Sequence, residues 1–269
     1  MIIVDTHAHA SPYWLEPVEV LLFQMNSNGV DKTTLVAING QTDDKYNRYL
    51  IECARRFPGR FSPVILVDTE RPDAPEILKR WVKEGAEGVR LKVAARSPGK
   101  NPLAIWKACA DLGLRVSCVG YKKEDCADDE FRKLIKALPD VTFILEHLGL
   151  GIARPDEGAP YPIYKKTLRL SRFPNVYLKV GGLGEICKRP FPFHDPFYAV
   201  EGVPPFVKMA YEAFGPKRMM WGSNYPPSGH LEGYGNTLRY LDEHLDTFCS
   251  KENKQWIFGK TALTLFKFK

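Results

Sequence analysis

Apolar, β-branched segments alternate with amphipathic segments along nearly the whole chain, and this alternation constrains the fold more than any other feature. The apolar segments predict buried strands, and apolar residues spaced three and four apart predict helices between them. Eight strand–helix units close a parallel barrel, so we predict an α/β fold, a single (β/α)8 TIM barrel. An open doubly wound sheet is the alternative, but no glycine-rich phosphate loop follows the first strand. The predicted strands are 2–7, 33–38, 61–67, 86–92, 114–119, 141–146, 175–180 and 218–222, and the predicted helices are 18–28, 43–57, 73–84, 102–112, 128–138, 161–172, 204–214, 234–247 and 251–267.

The two kinds of connection differ in length. Turns from a helix to the next strand are short and contain Gly or Pro, as at 28–29 and 58–59. Connections from a strand to the next helix are longer, at 93–101, 147–161, 181–203 and 223–233. This asymmetry is typical of a barrel whose active site lies at the C-terminal ends of its strands. No linker or repeat interrupts the pattern, so we predict one domain over residues 1–269.

Composition excludes several classes of protein. The net charge of +6 is mild and its basic residues are scattered without interleaved aromatics, so we expect no nucleic-acid partner. No stretch approaches the roughly 18 apolar residues of a membrane span, and we expect no membrane partner. The six cysteines form no Cys-x-x-Cys pair and no secretory leader is visible. We therefore expect reduced thiols and a cytoplasmic protein.

Four polar residues fall at the ends of predicted strands. His7 and His9 end the first strand, and they leave the same face because side chains alternate along a strand. His147 ends the sixth strand and Asn224 the eighth. Strands 1 and 8 of a closed barrel are neighbours and strand 6 is near, so we predict that the four residues meet at one mouth. The alternative for each histidine is a hydrogen-bonded place in the core.

Three motifs in combination resemble the amidohydrolase superfamily: DTHAH at 5–9, EHLG at 146–149 and WGSNYP at 221–226. Within it, the chain looks most like the amidohydrolase-2 branch of predicted metal-dependent TIM-barrel hydrolases, and the resemblance spans residue 3 to about 265. That branch includes lactonases acting on sugar-acid lactones and on pyrone-dicarboxylate or muconolactone-type substrates, and relatives that decarboxylate aromatic or muconate acids. The resemblance implies that the metal ligands are His7, His9 and His147.

Two departures from the family pattern leave the metal question open. Asn224 stands where the family usually has an Asp that binds metal and takes a proton from water, and an amide does neither well. The predicted fifth strand, 114–119, carries no histidine, unlike that of metal-rich members. The three histidines therefore either hold one divalent ion, Zn²⁺, with an open position for water, or act without metal as donors that polarise a carbonyl. In both versions Asn224 orients water or substrate.

Cationic side chains near the predicted mouth favour a small anionic organic substrate. Arg90 and Lys92 share one face of the fourth strand and should point into the barrel, where buried cations need a carboxylate partner. That partner is either the substrate or an internal acid, Asp5 or Asp68. The other candidates for substrate contact lie at strand ends or in long loops: Lys179, Arg154 and Tyr225. Alternatively, Lys92 is a carbamylated metal-bridging lysine, and the charges at 179 and 154 are solvated.

Without an Asp at 224, another residue must take a proton from water. We rank His147 and Asp68 first, because both end predicted strands. Asp5 is expected to orient His7, and weaker candidates lie in the loop after the last strand, namely His230 and Glu232. The predicted activity is hydrolysis of a carboxylate-bearing lactone or similar cyclic ester. The alternatives are a decarboxylase, another lyase or a lactone isomerase on the same barrel, and a barrel that binds a ligand without catalysis; a homo-oligomer is left open.

Overall fold

The computed structural model describes residues 1–11, 13, 16–38, 40, 42–152, 157–187 and 202–269. Parallel strands lie side by side in chain order within an eight-stranded sheet. The strands are β1 (Val4–Ala8), β2 (Lys32–Val36), β3 (Phe61–Leu66), β4 (Gly88–Lys92), β5 (Arg115–Val119), β6 (Thr142–Leu145), β7 (Val176–Val180) and β8 (Met219–Trp221). Each strand lies within the segment predicted for it or within one residue of it.

Helices follow the strands around the outside of the sheet. They are α1 (Val18–Ser27), α2 (Asp44–Arg56), α3 (Ala74–Glu84), α4 (Ala104–Asp111), α5 (Asp129–Ala137), α6 (Pro162–Leu168), α7 (Phe206–Phe214), α8 (Tyr234–Leu245), α9 (Lys251–Gln255) and α10 (Thr261–Leu265). Their apolar faces pack on the sheet, with Trp81 of α3 and Trp106 of α4 wholly buried. No helix of the described ranges is long and apolar enough to cross a membrane.

The sheet closes where the chain beyond β8 meets the end of β1. The N–H of His9 donates to the carbonyl oxygen of Tyr225 (2.8 Å), and the N–H of Asn224 donates to that of His7 (2.6 Å). Glycine fits at position 222 because a Cβ there would lie 2.6 Å from the Cβ of His7. The result is a nearly closed (β/α)8 barrel, which confirms the predicted fold.

The C-terminal segment covers one end of the barrel. The N–H of Lys267 donates to the carboxylate of Glu87, which directly precedes β4 (2.7 Å). Phe266 and Phe268 belong to an apolar cluster that includes Val64 of β3. Because this segment packs at the N-terminal ends of the strands, the opposite end, at their C-terminal ends, is left for the polar residues.

The prediction of one helix over 251–267 is wrong in its middle. A π-helical turn, Trp256–Lys260, separates α9 from α10. Inside this turn, Gly259 packs against the carbonyl group of Ile2, where a Cβ would overlap the oxygen. The close approach of the N-terminal segment accompanies this local change in helix geometry, which no hydrophobic pattern signals.

The six cysteines are free and buried.

Candidate active site

Three histidines from two distant parts of the chain meet at the C-terminal end of the barrel. The ring centroid of His7 lies 4.9 Å from that of His9 and 5.1 Å from that of His147. His7 belongs to β1 and His9 follows it directly, whereas His147 begins the short turn His147–Gly149 after β6. Barrel closure therefore brings these rings together, as the positions of the residues at strand ends predict.

The backbone has left-handed geometry at His147, at the residue after it and at Asn224. His147 has φ +50°, Leu148 has φ +57° and Asn224 has φ +53°. Asn tolerates this region, but a branched residue such as Leu rarely adopts it. Such conformations persist only where the surrounding structure holds them, and they concentrate at functional sites. The polar ends of β6 and β8 are therefore held in place by the fold around them.

His7 contacts a buried lysine. The ammonium of Lys179, on β7, donates to Nδ1 of His7 (3.2 Å) and to the hydroxyl of Ser117 on β5 (2.7 Å). Since Nδ1 accepts this bond, a neutral His7 ring carries its proton on Nε2. The Nε2 atom is buried and has no hydrogen-bond partner in the described part of the chain. The Nε2–H of His7 is therefore a hydrogen-bond donor that remains available at the centre of the site.

Arg90 is committed to an internal acid. Its guanidinium donates to both carboxylate oxygens of Glu146, at 3.0 Å from Nε and 2.6 Å from a terminal nitrogen, and to the carbonyl of Ala37 (3.0 Å). The hydroxyl of Ser117 donates to the same carboxylate (2.6 Å). The prediction that Arg90 points into the barrel is confirmed, but the partners that we considered, Asp5 and Asp68, are wrong.

Burial and this ion pair together set the charges of the site. Burial, then the charges of Lys179 and its neighbours, lowers the pKa of His7 well below its ordinary value, and burial lowers the pKa of His9 to about 3. Burial lowers the pKa of Lys179 to about 8. Burial alone would raise the pKa of Glu146, but the attraction of Arg90 and Lys179 outweighs it and lowers the pKa to about 2. Both strand-1 imidazoles are therefore neutral near pH 7.

His9 and Asn224 face each other with two acceptor atoms. Nδ1–H of His9 donates to the carbonyl of Val36 (2.7 Å), so the lone pair of a neutral ring is on Nε2. That atom lies 3.3 Å from Oδ1 of Asn224. A backbone acceptor on one ring nitrogen that leaves the other free is the usual arrangement of a metal-binding histidine. A cation held by both atoms would satisfy the two lone pairs.

A second observation bears on metal binding. Among the described residues, His7, Glu146 and His147 form one group in which a ligand atom from each lies within 4.8 Å of the others. This set differs from the predicted His7, His9 and His147 by the presence of Glu146. The donor types fit a single divalent ion such as Zn²⁺.

A carboxylate that the sequence analysis did not consider lies beside His147 and Asn224. Glu185, in the turn Leu183–Glu185 after β7, accepts a hydrogen bond from Nδ2 of Asn224 on Oε1 (2.9 Å), and its Oε2 lies 3.1 Å from Nδ1 of His147. Burial of the His147 ring would lower its pKa, but the attraction of Glu185 outweighs burial and raises it. These three side chains line a cavity of about 240 Å³, together with His230.

Asp68 and Lys92 line a separate cleft of about 400 Å³, beside Arg90. The prediction that Lys92 is a buried cation is wrong: its side chain is exposed, with the ammonium 5.8 Å from the centre of the Tyr121 ring. Lys92 is the last residue of β4, so its long side chain reaches solvent and needs no buried partner. Asp68 is also exposed, and it accepts a hydrogen bond from the N–H of Glu70 (3.0 Å).

The remaining predicted residues are placed as follows. Lys179 is buried, so the alternative of a solvated surface charge is wrong for it. Tyr225 is buried and its hydroxyl donates to Glu16. Asp5 accepts from the backbone N–H of His7 and from Ser223, so it joins the ends of β1 and β8 instead of orienting an imidazole. Arg154 lies outside the described residues, as does the proline-rich segment around position 194.

A family model described as Amidohydrolase matches residues 4–268. The chain belongs to the amidohydrolase family. An L-fucono-1,5-lactonase of Burkholderia ambifaria is 29% identical over 95% of this chain and 84% of its own length. A 4-sulfomuconolactone hydrolase of Hydrogenophaga intermedia is 24% identical over 80% of this chain and 67% of its own. The crystal structure of an amidohydrolase of Burkholderia multivorans with bound zinc superposes on this chain over the full length of both proteins. The TM-score is 0.80 and the sequence identity is 16%, so this likeness supports the fold.

This amidohydrolase contains three site residues that sequence reasoning did not assign. Glu146 was visible as an acid at the end of a buried strand, next to His147. Ser117 was visible as a polar residue inside an apolar strand. Glu185 lies five residues beyond the end of β7, in a turn, and no periodicity points to it.

Proposed function

We propose that this amidohydrolase hydrolyses a lactone that carries a carboxylate. The observation that supports the proposal best is the meeting of His7, His9 and His147 beside a cavity that also exposes Asn224. Two curated relatives named for lactone hydrolysis, one of them matching 95% of this chain, support a lactone as the substrate. His147 lines this cavity, and the neutral rings of His7 and His9 lie behind it, so the three imidazoles together are suited to polarising an ester carbonyl.

The roles of the side chains follow from their positions. His7 directs its unpartnered Nε2–H toward the carbonyl oxygen, where negative charge develops as water adds. His147 and Asn224 line the cavity and orient the reactants. Lys92 lies exposed in the neighbouring cleft and binds the carboxylate of the substrate as a point charge. Arg90 stabilises the site through its ion pair with Glu146 and is not available to the substrate.

Carbonyl activation has a zinc version and a metal-free version. The zinc version is supported by the facing acceptors of His9 and Asn224 and by the group of His7, Glu146 and His147. When bound, Zn²⁺ would supply Lewis-acid polarisation of the carbonyl and a more acidic water. The metal-free version is supported by Lys179, which donates to His7 and leaves a donor on Nε2. Metal analysis of protein purified without chelator, followed by activity after chelation, decides between the two versions.

A decarboxylase is the second candidate, favoured by the amide at position 224 in place of a water-activating acid.

We further propose a cytoplasmic location, since all six thiols are free and buried.

Mass analysis of reactions with a panel of lactones tests the proposed function. The panel contains aldono-1,5-lactones, muconolactone-type acids and pyrone dicarboxylates, each with and without enzyme. We expect a product heavier by one water for at least one carboxylated lactone. Release of carbon dioxide would support the decarboxylase instead, and the absence of turnover across the panel would contradict both.

A further inference from the structure

The carboxylate of Glu185 is fixed at both oxygens by residues of the candidate active site. Oε1 accepts from Nδ2 of Asn224 (2.9 Å), and Oε2 contacts Nδ1 of His147 (3.1 Å). The Glu185 side chain is 14% exposed and lines the 240 Å³ cavity. An acid that is held from two sides yet reaches the cavity is placed to act on a bound water.

The identity of residue 224 depends on this acid. Asn224 can donate to Glu185 because an amide carries N–H groups, which a carboxylate lacks. An Asp at this position would place two carboxylates about 3 Å apart, and one of them would have to keep a proton. Asn224 and Glu185 therefore form a matched pair. The negative charge of this pair is on residue 185, after β7, and not on residue 224, at the end of β8.

A glycine leaves room for the Glu185 carboxylate. Gly181 directly follows β7, and a Cβ at this position would overlap Oε2 of Glu185. The backbone of Gly181 has no positive φ, so an alanine there is compatible with the chain conformation. The absence of a side chain at 181 thus allows the acid to fold back over the end of the strand.

We infer that Glu185 is the general base of the hydrolytic reaction, a role that rests on the proposed function. Glu185 takes one proton from water while the water oxygen bonds to the lactone carbonyl carbon. The ester bond to the ring oxygen then breaks, and Glu185 returns the proton to that oxygen. The products are a hydroxyl group and a carboxylic acid, which releases its proton to solvent. Asn224 is a positioning residue in this step because it acts by holding the carboxylate.

A double-variant cycle tests the role of Glu185. Glu185→Gln should lower kcat by about 100-fold or more with a nearly unchanged KM, because the amide cannot take the proton. Asn224→Asp should also lose activity, since it removes the N–H that positions Glu185 and adds a second acid that shares a proton with it. Glu185→Gln combined with Asn224→Asp should recover at least tenfold over Glu185→Gln, because it returns one carboxylate to the pair. Glu76→Gln, at an exposed site on α3, is the matched control and should behave as the original chain.

The outcomes separate this role from the proposed function. If the original chain turns over no lactone, the proposed function fails and the role of Glu185 fails with it. If the original chain is active and Glu185→Gln keeps most of its kcat, Glu185 only orients His147, since Gln retains an acceptor oxygen. If the kcat of the double variant is no higher than that of Glu185→Gln, a carboxylate at 224 does not replace the one at 185, and the proposed pairing of the two positions is wrong. Gly181→Ala offers a second variant that changes none of the reacting side chains, and it should lower kcat by displacing the carboxylate of Glu185.

Discussion

The guanidinium of Arg90 and the carboxylate of Glu146 form a two-point ion pair in the interior of the barrel, with contacts of 3.0 and 2.6 Å. Both side chains are almost wholly buried. Glu146 directly precedes His147 in the chain, so the pair fixes the end of β6 from which that imidazole extends. The ion pair therefore belongs to the support of the site and not to substrate binding.

Removing one member of this pair should destabilise the protein strongly. Arg90→Met or Glu146→Leu leaves a buried charge without its partner, and we expect each to lower the free energy of unfolding by about 3–5 kcal/mol. The double variant should be more stable than Glu146→Leu alone, because one uncompensated charge is gone. Urea unfolding measures all three. Single variants as stable as the original chain would show that the pair does not support the fold.

Lys179 should determine which nitrogen of His7 carries the proton. The ammonium donates to Nδ1, so two-bond ¹H–¹⁵N spectra of chelator-treated protein should show the proton of His7 on Nε2. Lys179→Met should lower kcat by about 100-fold, the typical effect of losing one oriented donor to a developing oxyanion. His244, half-buried on α8, is an internal control whose signals should not change. A proton on Nδ1 of His7 in the original chain would contradict this network.

Lys92 should contribute to KM and not to kcat. Its exposed ammonium lies in the cleft of about 400 Å³, where we expect it to contact the substrate carboxylate. Lys92→Met should raise KM for a carboxylated lactone about tenfold, equivalent to about 1.4 kcal/mol of binding. The same variant should leave KM unchanged for a lactone that lacks the carboxylate. Lys79→Met, exposed on α3, is the control. Equal effects on both substrates would exclude carboxylate recognition by Lys92.

Gly222→Ala should disturb both the barrel junction and the site. The new Cβ would lie 2.6 Å from the Cβ of His7 and 3.0 Å from its backbone nitrogen, so β1 must shift. We expect a loss of about 1–3 kcal/mol in the free energy of unfolding and a lower kcat. Gly202→Ala is matched to it, because a Cβ at 202 meets no atom within 4 Å. Thermal unfolding of the two variants, together with their kcat values, gives the comparison, and equal stability would contradict the tight junction.

The sequence predicts the barrel and the histidines for one physical reason. Strands buried on both faces produce continuous apolar runs, and the residues that end those runs must lie at the same edge of a parallel sheet. His7, His9, His147 and Asn224 follow from this rule. Glu185 does not, because it lies in a turn whose path depends on tertiary contacts with Asn224 and His147.

The partners of the charged side chains could not be predicted from the sequence either. Arg90 and Lys92 have the same strand parity, yet one is buried and the other is exposed. The difference arises because β4 ends at Lys92, so its side chain leaves the sheet, whereas Arg90 faces Glu146 across the interior. Alternation along a strand predicts the face of a residue but not its depth in the barrel.

The position of a ring-opened hydroxy-acid product in a crystal of this protein tests the central claim most directly. We predict that the carboxylate formed from the lactone carbonyl lies within hydrogen-bond distance of the imidazoles of His7, His9 or His147, in the cavity that Glu185 lines. A product bound only elsewhere, for example in the cleft beside Lys92 with the three imidazoles untouched, would contradict the assignment of this site as the reaction centre.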